Sequence, residues 1–148
     1  MPGRQEVRRH LRLAKGFIAT AFVRPDSGEF EIRNALSRSY YALYHALHAW
    51  LAMKNVPKAR RRRREELFEQ VLRKREKGYG SRLDRFWSLR IKADYDEPEF
   101  SEVSPFLGDL AKFRIGARDD LSLIEREIEF YNSEVDGFLN PSQKTGAV

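Results

Sequence analysis

The spacing of apolar residues along the chain constrains its fold more than any other feature. In the last third of the sequence, apolar side chains recur in steps of three and four residues, which is the period of an amphipathic α-helix. This stripe consists of Leu107, Leu110, Ala117, Leu121, Ile124, Ile128, Tyr131, Val135 and Phe138. Arg114 is its only exception. The pattern predicts one long helix, in which Gly116 marks the point where a break or kink would fall.

The same period predicts four further helices earlier in the chain. They span residues 4–22, from the turn at 24–28 to 54, from the basic segment 58–64 to 77, and 81–95. Asp26 or Ser27 is predicted to cap the second of them. No segment alternates as a strand does. The sequence therefore predicts an all-α, up-and-down bundle of about five helices over residues 1–139, with a disordered tail at 140–148.

Length and composition limit the class of protein. A chain of 148 residues can bury one core without disulfides or a structural metal. It has no cysteine, which excludes thiolate metal sites and favours a reducing compartment. No apolar stretch approaches the roughly 20 residues of a membrane span, and the N-terminal segment lacks the apolar core of a signal peptide. We therefore expect a cytoplasmic protein with no membrane association.

The net charge is +6, and much of the positive charge is concentrated in one run. Its six cations are Lys58, Arg60, Arg61, Arg62, Arg63 and Arg64. Such a patch attracts phosphates and gives affinity without sequence specificity, so it predicts contact with RNA. A frayed, disordered turn and a site for an acidic protein partner are the alternatives.

Arg38 and His45 are the strongest candidates for a functional pair. They lie seven residues apart in the second predicted helix, so their side chains fall within roughly 20° of one another on one face. The same face carries Asn34 and the small residues Ala35, Ala42 and Ala49, over which a second backbone could approach. The opposite face carries the predicted core stripe, which consists of Leu36, Tyr40, Leu43, Leu47, Trp50 and Leu51.

These two residue types suit the cleavage of RNA without a metal. Histidine can transfer protons near neutral pH, and an arginine fork can hold two phosphate oxygens at once. One histidine does not easily serve as acid and base on opposite sides of one phosphorus, and a dimer with facing helices would remove this difficulty. The alternative is that Arg38 and His45 are ordinary polar residues of a half-exposed helix.

A metal site is the less favoured interpretation of the histidines. His48 follows His45 by three residues, a spacing that could hold a metal. No motif supplies a third ligand, and His10 lies on another predicted helix. We expect His48 to pack with Tyr44 and Tyr41 or to assist at the rim of the site, and we predict no metal and no cofactor.

Two segments of the chain, SRSYYALYH (37–45) and LRIKADY (89–95), resemble the HEPN domain family (higher eukaryotes and prokaryotes nucleotide-binding). The resemblance covers about residues 29–95. It implies a helical bundle that forms a homodimer with facing motif helices, and a metal-independent endoribonuclease in which Arg38 and His45 are catalytic. It also implies a toxin or defence role, with a nucleotidyltransferase-like antitoxin as the usual partner.

The resemblance also suggests secondary site residues. Arg90, Asp94 and Tyr95 would orient the motif helix or the bound phosphate, although Arg90 and Asp94 could simply form an ion pair within their helix. Ser39 follows the motif arginine, where nuclease members often have Asn, Asp or His. Ser39, Asn34 and Tyr41 are further candidate substrate contacts, Tyr41 by stacking on a base.

Two rival functions remain open. The first is a non-catalytic HEPN module that binds nucleotides, RNA or a nucleotidyltransferase-like antitoxin. The second is a helical DNA-binding or scaffolding protein driven mainly by the basic run at 58–64.

Overall fold

The computed structural model describes residues 2–75, 79–95 and 109–141. Within these ranges the chain forms five α-helices and no strand, which confirms the all-α prediction. The helices are α1 (Pro2–Ala19), α2 (Glu29–Met53), α3 (Arg64–Lys74), α4 (Tyr79–Tyr95) and α5 (Leu110–Leu139), with a short 3₁₀ helix at Lys58–Arg60. None of the described helices is both long enough and apolar enough to cross a membrane.

Helix α2 lies at the centre of the bundle and packs against α1, α4 and α5. All six residues of its predicted core stripe are buried, as the apolar period requires. The opposite side is also largely buried, because α1 covers it. Trp50 is buried with its indole Nε1 donating to Glu134 Oε1 on α5 at 2.8 Å, which satisfies its one polar atom.

The N-terminus of α2 differs by one or two residues from the prediction. Gly28, not Asp26 or Ser27, is the N-cap, and its backbone N–H donates to Glu31 Oε1 at 3.2 Å. Ser27 is buried in the preceding turn, where its Oγ accepts from the backbone N–H of Arg24 at 2.8 Å. The carbonyl of Ser27 accepts from Arg114 Nε at 2.6 Å. This bond explains why an arginine interrupts the apolar stripe of α5.

The C-terminus of α2 ends where the sequence predicts, at 55–57. Asn55 has a φ of 63°, the left-handed conformation that commonly follows a helix. The N–H of Val56 donates to the carbonyl of Leu51 at 2.9 Å, and the N–H of Asn55 donates to that of Ala52 at 3.0 Å. These two bonds form a Schellman motif, which reverses the chain and directs residues 58–63 back across the end of α2.

The prediction that the third helix includes the basic run is wrong. Only Lys58–Arg60 forms a 3₁₀ turn, and α3 begins at Arg64. The reason is that Arg61 turns inward and is 1% exposed, whereas a regular helix would carry successive arginines around its surface. Helix α4 begins two residues earlier than predicted. The acidic segment 96–99, where Pro98 predicts a loop, lies outside the described residues.

Helix α5 is continuous through Gly116, so the predicted long helix forms without a break. Asp109 caps it, since its carboxylate accepts from the backbone N–H groups of Ala111 and Lys112. Leu107 and residues 142–148 of the predicted tail lie outside the described residues.

A buried ionic cluster joins the end of α3 to α5. Arg75 Nη1 donates to Glu127 Oε1 at 2.8 Å and to the hydroxyl oxygen of Tyr131 at 2.7 Å. Glu127 is 5% exposed, and it also accepts from the Tyr131 hydroxyl at 3.1 Å. Because each charge has a partner, the cluster can remain in the core.

Candidate active site

Helix α2 turns the face that carries His45 toward α1. The ring of His45 lies parallel to that of Phe17, with centroids 5.7 Å apart and 1° between the ring planes. On the same side, its Nδ1 lies 2.9 Å from Nδ1 of His10. The candidate pair therefore lies at the edge of the α1–α2 interface. Arg38 and His45 both remain partly exposed there.

All three histidines of the chain meet in one cluster, formed by His10, His45 and His48. The ring of His10 lies between the other two, with centroids 5.2 Å from His45 and 5.1 Å from His48. The prediction left His10 aside because it belongs to another helix. A signal was present, since His10 follows Val7 by three residues and precedes Ala14 by four, within the apolar stripe of α1.

His48 has one of its two predicted neighbours. Its ring meets Tyr44 edge-on, with centroids 4.4 Å apart, as expected. The ring of Tyr41 instead contacts Phe17 at 5.9 Å. His48 is 4% exposed, so it contributes to the interior of the cluster and not to the rim of the site.

Arg61 closes the inner end of the histidine cluster. It donates to the carbonyl of Val56 at 3.1 Å, to Nδ1 of His48 at 2.6 Å and to Glu6 Oε1 at 2.5 Å. Glu6 Oε1 also lies 3.9 Å from Nε2 of His10. Burial by itself would raise the pKa of Glu6, but the hydrogen bond and charge of Arg61 outweigh it and lower that pKa. Glu6 is therefore a carboxylate at neutral pH.

Burial lowers the pKa of every histidine in the cluster. It lowers the pKa of His10 to about 4, and the nearby charges of His45 and Arg9 act in the same direction. The pKa of His48 falls to about 3, first through burial and then through the charges of His10 and Arg61. Burial and the charge of Arg9 also lower the pKa of His45. His45 is thus neutral at neutral pH and can accept a proton.

Arg38 carries a charge that no carboxylate balances within the described part of the chain. Its Nη1 donates to Thr20 Oγ1 at 3.0 Å, and Thr20 in turn donates to the carbonyl of Phe17 at 3.0 Å. Arg33, on the same helix, pairs instead with Glu29 at 3.4 Å. A partly exposed guanidinium held by a neutral hydroxyl is suited to bind phosphate.

The predicted contacts on α4 form a cluster that fastens this helix to α2. Arg90 Nη2 donates to the hydroxyl of Tyr41 at 2.9 Å, and Arg90 Nε pairs with Asp94 Oδ2 at 2.9 Å. Asp94 also accepts from Ser37 Oγ at 3.3 Å. Arg90 and Asp94 thus form the ion pair within their own helix that was the alternative to a role in the site. Both residues also contact α2. Tyr95 lies under the Arg90 guanidinium and is 60% exposed.

Ser39 and Asn34 differ in their exposure to solvent. Ser39 is 2% exposed, and its Oγ donates to the carbonyl of Leu36 at 2.7 Å. One residue past Arg38 is about 100° around the helix, which turns Ser39 toward the core. The Ser39 hydroxyl is buried and bonded to the backbone, which corrects its assignment as a substrate contact. Asn34 is exposed and remains a candidate.

The small residues of α2 do not form an open docking face. Ala35, Ala42 and Ala49 are buried by the helices of the same chain. The predicted approach of a second copy over these alanines is therefore corrected. Several residues along this face of α2 stay accessible, and we call them the open strip: Phe30, Asn34, Arg38, Tyr41 and His45.

The basic run is divided by the structure. Lys58, Arg60, Arg62 and Arg63 are exposed and available to a polyanion. Arg64 is partly buried, where it pairs with Glu65 and Asp84 and lies over the ring of Trp87. Arg61 is buried in the histidine cluster, which corrects its assignment to the phosphate-attracting surface.

The described residues contain no group of three or more histidine, cysteine or acidic side chains arranged to hold a metal ion. Comparisons of the chain with protein-family models, with curated proteins and with solved structures find no match. The resemblance to the HEPN family therefore depends on the two segments at 37–45 and 89–95.

Proposed function

We propose that the chain is a metal-independent endoribonuclease of the HEPN type, with His45 as general acid–base and Arg38 as the ligand of the phosphate and of the transition state. The observation that carries this proposal is the pair itself. A neutral, partly exposed imidazole and an arginine with no carboxylate partner in the described residues share one face of α2. The second HEPN-like segment, at 89–95, supports the same proposal.

The proposed reaction needs one proton acceptor, one proton donor and positive charge on the phosphate. The 2′-oxygen attacks phosphorus while its proton passes to Nε2 of His45, and the bond from phosphorus to the 5′-oxygen breaks. The leaving oxygen takes a proton from an acid on the opposite side. The products are a 2′,3′-cyclic phosphate and a 5′-hydroxyl. Arg38 supplies charge to the phosphorane oxygens, where preorganised donors are most effective.

The acid is the imidazolium form of His45 in a second copy of the chain in this proposal, so the active dimer holds one neutral and one protonated His45. His10 does not serve as the opposite acid, because it is buried and meets His45 at Nδ1, behind the reacting nitrogen. A homodimer paired along the open strip of α2 would present two copies of Arg38 and His45 to one phosphate. The exposed Phe30, at 79%, would contribute apolar area to that interface.

The exposed cations of the basic run provide a second contact for RNA. Arg61 and His48 tie this run to the far end of the histidine cluster. From His48 to Arg38 is ten residues, or about 15 Å along α2. The exposed Arg9 lies along this path, since its charge acts on His45. A single strand that follows these cations would be held by its backbone, without base specificity.

The biological setting of the proposal follows from the HEPN resemblance. The resemblance implies a toxin or defence role in the cytoplasm. A chain without cysteine suits this reducing compartment. A nucleotidyltransferase-like antitoxin would be the natural partner. It could neutralise the enzyme by covering the open strip of α2.

One observation favours a second candidate, a HEPN module that binds RNA or nucleotides without cleaving them. His45 is in contact with both Phe17 and His10, so its ring is only partly accessible. In such a module Arg38 would bind phosphate, while His45 would complete the packing between α1 and α2.

Cleavage of single-stranded RNA by the purified full chain in EDTA tests the proposal. We expect cyclic phosphate and 5′-hydroxyl ends. His45→Ala should lower kcat/KM by about 10²–10⁴-fold, because general acid–base catalysis is lost. Arg38→Ala should lower it by about 10²-fold, because charge at the transition state is lost.

Arg73→Ala is the matched control for these variants, since it removes the same charge from an exposed position on α3. It should cleave like the wild type. If the folded wild type binds RNA but does not cleave it, and Arg38→Ala weakens binding while His45→Ala does not, the binding module is the correct function.

A further inference from the structure

The contact between His10 and His45 crosses the α1–α2 interface edge to edge. The two Nδ1 atoms lie 2.9 Å apart, whereas the ring centres lie 5.2 Å apart. The ring centres are farther apart than the nitrogens by about the width of one ring, so both nitrogens lie between the two centres. Two neutral imidazoles can share this contact only if one Nδ1 carries a proton and the other is bare.

Glu6 determines which of the two rings donates. Its carboxylate lies 3.9 Å from Nε2 of His10, and Arg61 holds it in place. A carboxylate on that side favours a proton on Nε2 of His10. Neutral His10 then has a bare Nδ1, which accepts from an Nδ1–H of His45. The remaining nitrogen of His45, Nε2, is left with its lone pair.

The other groups around the pair do not alter this order. His48 accepts the hydrogen bond of Arg61 at its own Nδ1 and contacts His10 only by stacking. Arg9 acts on both rings through its charge. Phe17 and Tyr44 contact the ring of His45 through their aromatic faces and edges. Within the described residues, Nε2 of His45 has no hydrogen-bond partner.

We propose that Glu6, His10 and His45 form an orienting relay across the α1–α2 interface, in which His10 is a positioning residue that keeps the proton of His45 on Nδ1 and its Nε2 lone pair open. The consequence for catalysis rests on the proposed function, in which Nε2 takes the 2′-hydroxyl proton. When it does, the hydrogen bond from Nδ1 of His45 to Nδ1 of His10 holds the ring in place, and the proton taken from the 2′-hydroxyl stays on Nε2 of His45.

Nitrogen-15 NMR of the imidazole rings in the full chain at neutral pH tests the relay without reference to activity. We expect His45 to carry its proton on Nδ1 and His10 to carry its proton on Nε2. His10→Phe should return His45 to a mixture of both tautomers. Phe17→Leu changes the packing of the same ring without touching Nδ1, so it should leave the tautomer of His45 unchanged.

A wild-type His45 that carries its proton on Nε2 would overturn the proposal, whether or not the variants fold. So would a folded His10→Phe variant with an unchanged His45 tautomer.

Steady-state kinetics give the functional readout. His10→Phe should lower kcat by about 10²-fold with little change in KM, because the base is misoriented while phosphate binding by Arg38 persists. Lys15→Ala, an exposed change on α1, is the control and should leave both parameters unchanged. Equal kcat for His10→Phe and wild type would contradict the relay. If the wild type does not cleave RNA at all, the proposed nuclease function fails, and the NMR result still decides the relay.

Discussion

Arg61 behaves differently from the arginines on either side of it. It is 1% exposed, whereas Arg60 and Arg62 are exposed. A buried guanidinium is tolerated only when its donors are satisfied, and here Glu6, His48 and a backbone carbonyl satisfy them. Six cations in one short run have no apolar period that would single out one of them. The position of Glu6 on another helix selects Arg61.

Replacement of Arg61 by alanine should therefore be far more costly than replacement of its neighbour. We expect Arg61→Ala to lower the free energy of unfolding by about 1–3 kcal/mol, because the buried hydrogen bonds of Arg61 to His48 and to the Val56 carbonyl would be lost. Arg62→Ala should change it by less than about 0.5 kcal/mol, since its side chain is exposed. Urea denaturation of both variants measures the difference. Equal destabilisation would contradict the buried role of Arg61.

The end of α2 is determined by local sequence, whereas the continuity of α5 depends on tertiary contacts. Helix α2 ends where its residues dictate, because Asn55 adopts the left-handed conformation and Pro57 follows. Helix α5 continues through Gly116 although glycine weakens a helix. Residues on both sides of Gly116 are held by long-range contacts, such as the bond from Arg114 to the Ser27 carbonyl. Packing thus overrides local propensity in α5.

Gly116→Ala should stabilise the protein. A Cβ at this position would meet no atom within 4 Å, and the residue is helical. We expect the free energy of unfolding to rise by about 0.5–1 kcal/mol, because alanine loses less conformational entropy in a helix. Thermal or urea denaturation measures the change. A loss of stability would show that the backbone at Gly116 is not regular helix.

At the scale of the whole molecule, the α1–α2 interface is both part of the core and the candidate site. The histidine cluster fills the interface with rings that are neutral in the folded state, while Glu6 and Arg61 place an ion pair beside them. A protonated histidine would introduce charge into this buried space. The same contacts that order the candidate base therefore make the fold sensitive to acid.

Stability should fall as the pH is lowered below about 6.5, the unperturbed pKa of histidine. In the folded state the pKa of His10 is lowered to about 4 and that of His48 to about 3. Between those values and about 6.5, the unfolded chain binds more protons than the folded one, so protons favour unfolding. Each histidine should contribute up to about 1.4 kcal/mol per pH unit in this window.

Urea denaturation between about pH 7.5 and pH 5 measures this slope above the range in which free carboxylates titrate. The loss should be smaller in His10→Phe, which has one buried histidine fewer. A wild-type stability that is independent of pH over this range would contradict the neutral state of the cluster.

The period of apolar residues was sufficient to predict five helices, the core stripe of α2 and the formation of α5 as one long helix. It also placed Arg38 and His45 on one face. It could not place His10 against His45, bury Arg61 or turn Ser39 inward. Each of these depends on which helix packs against α2, and the period of one helix does not contain that information.

The amino-acid sequence by itself determined the elements of this protein, because helix period, caps and turn residues act over a few positions. The tertiary structure alone decided what those elements enclose. Packing of α1 on α2 buried the alanines expected to meet a second copy, and it joined Glu6, His10 and His45 in one chain of contacts. Hydrogen bonds and burial between residues 35 or more positions apart depend on how the helices assemble, which local spacing does not encode.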